Sequence, residues 1–310
     1  MNDGVQALQK VSRLTLGTAA LGLSYGVANR DGVVSDVIAT MILERALHCK
    51  ISCFDTASAY GLSEQRLGKW MKTTGARPQL ISKLPPIDSV DANAHETVAL
   101  HLASSLQALG VAALDGYLVH SASDFLRSDV RDALVNARED GKVGAIGVSA
   151  YEPDQIFSAL ETGQANLVQV PVNLVDRRMV QSGAIAACRE SGVTVFARSA
   201  FLQGALLMKP NELPSHLNGL CPVLTALHAT ADRHGVSAID LLLGVVLTQR
   251  EIDSVVVGVH SVAQLEQQLQ VLSNDGDDDA MSELENEVDA IVSNLPKQLL
   301  DPRAWPPNRR

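Results

Sequence analysis

The stretch Ile51-Ser-Cys-Phe-Asp-Thr-Ala-Ser-Ala-Tyr-Gly61 is a short apolar run that closes on an acid, a cluster of hydroxyls, a tyrosine and a glycine. β-Branched and aromatic residues between a helical pattern and a polar loop predict a buried strand over 51–54. Asp55 then stands at its carboxyl end and Tyr60 on the loop that leaves it. Two later apolar runs end in the same way, Leu80-Ile-Ser-Lys83 on Lys83 and Tyr117-Leu-Val-His120 on His120. In barrels of alternating strands and helices, chemistry collects at the carboxyl ends of the strands. Four polar groups at the ends of three consecutive strands therefore converge on one rim. A tyrosine that protonates a substrate oxygen needs its pKa brought down from about 10 by a nearby cation, and Lys83 and His120 are both candidates.

The same unit repeats outward from this stretch. Strands are expected at 13–17, 51–55, 80–83, 114–120, 143–149, 167–170, 193–197 and 254–258. Helices are expected at 35–50, from Ser63 to Gly75, and at 91–109, 126–140, 176–190, 222–234, 237–249, 261–272 and 280–294. Ser35 is the expected cap of the first, with Val37, Ile38, Met41, Ile42 and Ala46 as its apolar stripe. Ser63 is the expected cap of the second. Eight strand-plus-helix units predict an α/β chain folded as a (β/α)8 TIM barrel. A doubly wound sheet would want Gly-x-Gly-x-x-Gly after the first strand, and Gly17-Thr-Ala-Ala-Leu-Gly-Leu does not supply it. No linker interrupts the pattern, so residues 1–310 are expected to form one domain. The tail, 295–310, holds four prolines and Trp305 and is expected to lie, non-helical, over one end of the barrel.

At 310 residues, 46% hydrophobic and 19% charged, the chain can bury a large core. A net charge of −10 argues against nucleic acid or an anionic membrane as a partner. No apolar run reaches the roughly 18 residues of a membrane helix, and the start shows no secretory signal, so a cytoplasmic location is expected. Four cysteines show no C-x-x-C pair. Cys49 and Cys53, with neighbouring His48, fall on a helix end and a strand that face them apart, so no metal site is expected. The acidic run 274–279 lacks the ligand spacing of a calcium loop and reads as a solvated turn.

Taken together, Asp55-Thr-Ala-Ser-Ala-Tyr60-Gly, Lys83 and His120 closely resemble the aldo-keto reductase superfamily, in a bacterial-type form. Supporting stretches are Gly17-Thr-Ala-Ala-Leu-Gly, Ser63-Glu-Gln-Arg-Leu-Gly68, Gly141-Lys-Val-Gly-Ala-Ile-Gly-Val-Ser149 and Arg198-Ser-Ala-Phe-Leu-Gln-Gly204. The resemblance implies an NAD(P)H-dependent oxidoreductase of alcohol dehydrogenase type that reduces an aldehyde or ketone, a small hydroxylated or sugar carbonyl, or runs the reverse. Tyr60 would be the general acid, with Lys83 lowering its pKa, Asp55 holding Lys83, and His120 orienting the carbonyl. Ser149 and Gln169 would hold the nicotinamide carboxamide, although the family's asparagine after that serine is Ala150 here. Ser199, Phe201 and Gly204, with Gly17 and Thr18, would run along the nucleotide. Gly258, His260, Gln264 and Gln268 fall on the adenosine-phosphate segment. That segment carries no Lys or Arg for a 2′-phosphate, which sets NAD beside the NADP implied by the family. Arg198 stands where many members stack an aromatic on the nicotinamide; a guanidinium there stacks, forms a structural salt bridge, or pairs with an acidic substrate group. Tyr25, Phe125 and Trp305 are the candidate substrate residues. A monomer or small homo-oligomer is expected. Two other readings are a catalytically weak, nucleotide-binding regulatory subunit and a barrel lyase or isomerase using Lys83 as a Schiff base.

Overall fold

The computed structural model of the chain describes residue 8 and residues 10–87, 93–273 and 278–306. Eight parallel strands close into a barrel in sequence order: β1 Leu14–Gly17, β2 Cys53–Asp55, β3 Gln79–Leu84, β4 Leu114–Val119, β5 Val143–Ser149, β6 Leu167–Pro171, β7 Thr194–Arg198 and β8 Ser254–Gly258. β8 pairs with β1 from Leu14↔Val255 to Gly17↔Gly258, which leaves no free edge. Along each strand the side chains alternate between two apolar environments. Leu16, Phe54, Tyr117 and Val168 face the surrounding helices as part of one large core, while Cys53, Ile81, Leu118, Ala145, Leu167 and Phe196 fill the barrel. Leu8 and Val11, ahead of β1, pack against that inner cluster.

The helices form where apolar stripes recur, and the differences from expectation have local causes. Ser35 caps Asp36–His48 as anticipated, accepting from the Ile38 amide at 3.3 Å. Its buried face is Ala39, Ile42, Leu43 and Ala46, whereas Val37, Ile38 and Met41 are exposed. Two overlapping stripes satisfy helical spacing, and the one with two alanines lets the helix approach the barrel closely. Ser63 is not a cap: it is the first residue of Ser63–Thr74, buried, and its hydroxyl serves the site instead. The expected 126–140 helix breaks at extended Arg127 into Ala122–Leu126 and Ser128–Glu139. The expected 176–190 helix likewise breaks at Gly183, φ 79°, into Arg178–Gln181 and Ala184–Glu190.

The helix Pro153–Glu161 is not legible in the sequence, because it buries only Ile156 and Ala159 and is opened by Glu152, an unusual cap, in a reciprocal box with Gln155, and the short turn Ala19–Gly22 falls where a loop is expected. The tail is partly helical, at Lys297–Leu300 and Pro302–Ala304, because Pro296 and Pro302 occupy starting positions that need no N–H donor. The acidic run at 274–277 and the expected helix start at 91–92 lie outside the described residues. Among the described residues no helix is long and apolar enough to cross a membrane.

Candidate active site

The two-residue period of a strand builds the rim. Two places beyond Cys53, Ile81, Leu118, Leu167 and Phe196 come Asp55, Lys83, His120, Gln169 and Arg198, which face the same side; Ser149 ends β5 on that side as well. Lys83 Nζ donates to Asp55 Oδ1 at 2.7 Å and to the Thr56 carbonyl at 2.8 Å. Gln169 Nε2 donates to the same Asp55 oxygen at 2.8 Å. Neither member of the ion pair is open to solvent, Lys83 being 0% and Asp55 4% exposed. The ammonium lies 5.0 Å from the centroid of the Tyr60 ring, and the His120 ring meets Tyr60 edge-on at 6.3 Å.

Hydroxyls and a glycine hold this group from behind. Thr18 donates both its amide and its Oγ1 to the Asp55 carbonyl, each at 2.9 Å, and Ser63 Oγ donates to Thr18 Oγ1 at 2.7 Å. A Cβ on Gly22 would stand 1.9 Å from the Tyr60 carbonyl, so the loop bearing the tyrosine seats only against a residue without a side chain.

The electrostatics correct one expectation. Burial, and then the Asp55 carboxylate, push the Tyr60 phenol up rather than down, with Arg198 partly opposing. The Lys83 ammonium is engaged by Asp55, and burial lowers its own pKa. Tyr60 is therefore a protonated phenol at neutral pH and can give a proton without first having to gain one. Burial, then Lys83 and Arg198, bring His120 down to about 4, so its imidazole is neutral with one N–H and one lone pair. Burial pushes Tyr25 up to about 12.

A cavity of about 940 Å³ opens on this rim. Asp55, Tyr60 and His120 line it, with Lys83 behind them. Of the expected nucleotide residues, Gly17, Ser149, Gln169, Arg198, Ser199, Phe201, Gly204, Gly258, His260, Gln264 and Gln268 border it. Tyr25 lines it as well. Three expectations fail. Thr18 is buried in the hydroxyl chain, Phe125 is wholly inside the core, and Trp305 leans on His216 with its indole N–H on the Gln298 carbonyl. The tail reaches the cavity through Pro302 and Arg303 instead. Arg30, Tyr151, Gln203, Ser237 and Gln267 also border it and were missed. Ser237 had a readable signal as the cap of Ala238–Leu247; an isolated arginine on a loop or tail has none.

The cavity walls fit a dinucleotide. Ser199 (φ 64°), Gln203 (φ 54°) and Gly204 (φ 88°) hold left-handed backbone, and such strain in non-glycine residues is kept where a segment has a task. The starts of two helices, Ala238–Leu247 and Val262–Ser273, border the cavity, and a helix start favours an anion. Gln268 is 4% exposed, and its buried side-chain oxygen lacks a donor among the described residues. The loop after β1 touches both walls, Val27 N–H on the Gln203 carbonyl at 3.0 Å and His260 Nε2 at 3.0 Å from the Tyr25 carbonyl. Among the described residues no cluster of His, Cys, Asp and Glu is suited to a metal ion.

Comparison with known proteins agrees with this geometry. The chain is 27% identical over 227 residues to the NADH-specific methylglyoxal reductase of Escherichia coli K12, a match covering 63% of this chain and 65% of that one. It is 25% identical over 300 residues to the L-glyceraldehyde 3-phosphate reductase of Escherichia coli O157:H7, covering 85% and 86%. The fold superposes on a glycerol dehydrogenase from Gluconobacter oxydans with a TM-score of 0.73 at 20% identity, over 94% of each chain. The sequence profile of the aldo/keto reductase family matches residues 13–289, from the first strand to the last long helix, and the chain belongs to that family.

Proposed function

We propose that the chain is a nicotinamide-dependent oxidoreductase that interconverts a small hydroxylated aldehyde, ketone or sugar carbonyl with its alcohol. The observation that carries this reading is the buried Asp55–Lys83 pair set 5.0 Å from the ring of a protonated Tyr60, with neutral His120 across from it at the floor of the cavity. A reduced nicotinamide held along Ser149, Gln169 and Ser199 would supply hydride to the carbonyl carbon. Tyr60 gives its proton to the carbonyl oxygen as negative charge develops there, a step typically worth about 10²–10⁴ in rate. Lys83 stabilises the phenolate left behind, and its fixed position means little reorganisation during the step. His120, held neutral, donates its one N–H to the same oxygen and sets the carbonyl's direction.

Ser199, Gly204, Ser237 and Gln268 are the residues proposed to hold the nucleotide. NADP and NAD both remain in view, because the 258–268 segment offers glutamine amides and His260 rather than a cation. Arg30 and Arg303 are guanidiniums outside the catalytic rim that border the cavity. The substrate class is supported by relatives whose names specify methylglyoxal, L-glyceraldehyde 3-phosphate and a D-threo-aldose.

The test is twofold. Quenching of protein fluorescence by NADPH and by NADH should give saturable binding to at least one. Reduction of small aldehydes should fall by at least about 10²-fold in Tyr60→Phe while nucleotide binding persists. Turnover that is unchanged by Tyr60→Phe would remove the proposed acid.

A further inference from the structure

Arg198 sits in the catalytic rim, yet among the described residues it forms no ion pair. Its Nη1 reaches Ser199 Oγ at 3.3 Å and its Nη2 the Ala150 carbonyl at 3.2 Å, two long neutral bonds for a group with five N–H donors. Its guanidinium carbon lies 4.0 Å from the centroid of the Tyr151 ring. A second guanidinium, Arg303 from the tail, lies 3.4 Å from the same centroid. Both arginines and the tyrosine border the cavity, and the two guanidinium carbons can be no further apart than the sum of those two distances.

Asp301 engages Arg303 through both oxygens, from 2.6 to 3.1 Å, so that cation is already matched. Arg198 is not. With Asp55 balancing Lys83 and with His120 neutral, the rim carries one uncompensated positive charge, inside a chain whose net charge is −10. A cation held in a concave site and stacked on an aromatic face is preorganised for an anion, because its side-chain entropy has been given up on folding. The tail shows what this field accepts: Asp301, itself a carboxylate, is held by the cavity-lining Arg303 and also feels Arg198.

We propose that Arg198, stacked on Tyr151 and flanked by Arg303, is an anion subsite that selects carbonyl substrates bearing a carboxylate or phosphate a few bonds from the reacting carbon. This rests on the reductase reading above and narrows its substrate class. Arg198 belongs to the ring of strand ends that holds Asp55, His120 and Gln169, and its charge is felt by Tyr60, His120 and Lys83. An anion bound there is tethered beside the reacting carbonyl.

The test uses matched pairs with the full-length protein and saturating nucleotide: succinic semialdehyde against butanal for a carboxylate, glyceraldehyde 3-phosphate against glyceraldehyde for a phosphate. In at least one pair the charged member should have a kcat/KM about ten-fold or more above the neutral one, the scale of a charge-assisted hydrogen bond. Whichever pair shows it names the anion. Arg198→Gln should collapse that ratio to within about three-fold, mainly through KM, and Arg198→Lys should keep part of it because the charge survives without the fork. Calorimetric titration of succinate or inorganic phosphate into the nucleotide complex should show binding that Arg198→Gln abolishes. Reduction of neutral aldehydes with no charged preference in either pair overturns the subsite and leaves the reductase reading standing. So does an Arg198→Gln variant that keeps the ratio and weakens nucleotide binding instead, since Arg198 would then serve the nucleotide. If no carbonyl of either kind is reduced, the reductase reading fails, and the proposal falls with it.

Discussion

Replacing Lys83 with methionine isolates the feature on which the site depends. The substitution keeps a long apolar stem and deletes the charge. Asp55 would then stay buried with one side-chain donor, the Gln169 amide at 2.8 Å, and the Thr56 carbonyl would lose its ammonium. An exposed pair such as Lys142–Asp140, both partners more than half exposed, is worth about 0–1 kcal/mol. Removing one member of a buried pair costs about 3–5 kcal/mol, because the survivor is left charged and uncompensated. A loss near 4 kcal/mol is about three orders of magnitude in the folding equilibrium. Denaturant unfolding followed by the fluorescence of Trp70, which is buried and 5.8 Å from Phe54 centroid to centroid, measures it directly. The double variant Asp55→Asn/Lys83→Met removes both charges and should regain at least half of that stability. It should not regain turnover, because no cation remains beside Tyr60. A Lys83→Met protein within about 1 kcal/mol of the parent, or a double variant no more stable than the single, would show that water reaches the pair and would undo the reasoning.

Other outcomes follow from the same geometry. His120 should make the fold acid-sensitive. The unfolded chain takes up its proton near 6.5 and the folded one only near 4, so stability is present above 6.5 and lost as pH falls through that window. Each unit of the difference is worth about 1.4 kcal/mol, and His120→Gln should flatten the slope of unfolding midpoint against pH between 6.5 and 4. Gly22→Ala should lower turnover far more than a surface Gly→Ala such as at Gly75, whose added methyl meets nothing within 4 Å, because the new Cβ displaces the Tyr60 backbone; equal effects at the two positions would contradict that seating.

Much of the fold was legible because strands of a closed parallel barrel are buried on both faces and appear as continuous apolar runs punctuated by glycine. Runs ending at Gly17, Asp55, Lys83, His120 and Ser149 marked strand ends to within a residue or two. What failed to show was anything settled by packing between distant segments. Asp36–His48 could bury either of two stripes, and which one wins depends on the barrel beneath it rather than on its own residues. Ser63 looked like a cap until the fold set its hydroxyl against Thr18. Phe125 and Trp305 looked suited to a substrate because they are large and stand on the loop after the fourth strand and on the tail, yet one fills the core and the other braces the tail. Arg303 is polar and surrounded by prolines, and its place beside Tyr151 comes from contacts across more than a hundred residues of chain. The pKa of Tyr60 is hidden for a related reason: adjacency to a lysine says nothing of whether that lysine already has a carboxylate.

A single carboxylate oxygen on β2 receives donors from β3 and from β6, strands on different sides of the barrel mouth. That oxygen works as a hub, so the aperture of the mouth is set by two hydrogen bonds as well as by the filling of the barrel beneath it. Changes at Asp55, Lys83 and Gln169 will therefore not behave as separate adjustments: loosening one spoke frees the others, and their effects on rate and on stability should interact instead of adding. A library that varies these three positions independently would sample mostly broken wheels, whereas the loops around the rim can be altered while the hub keeps its shape.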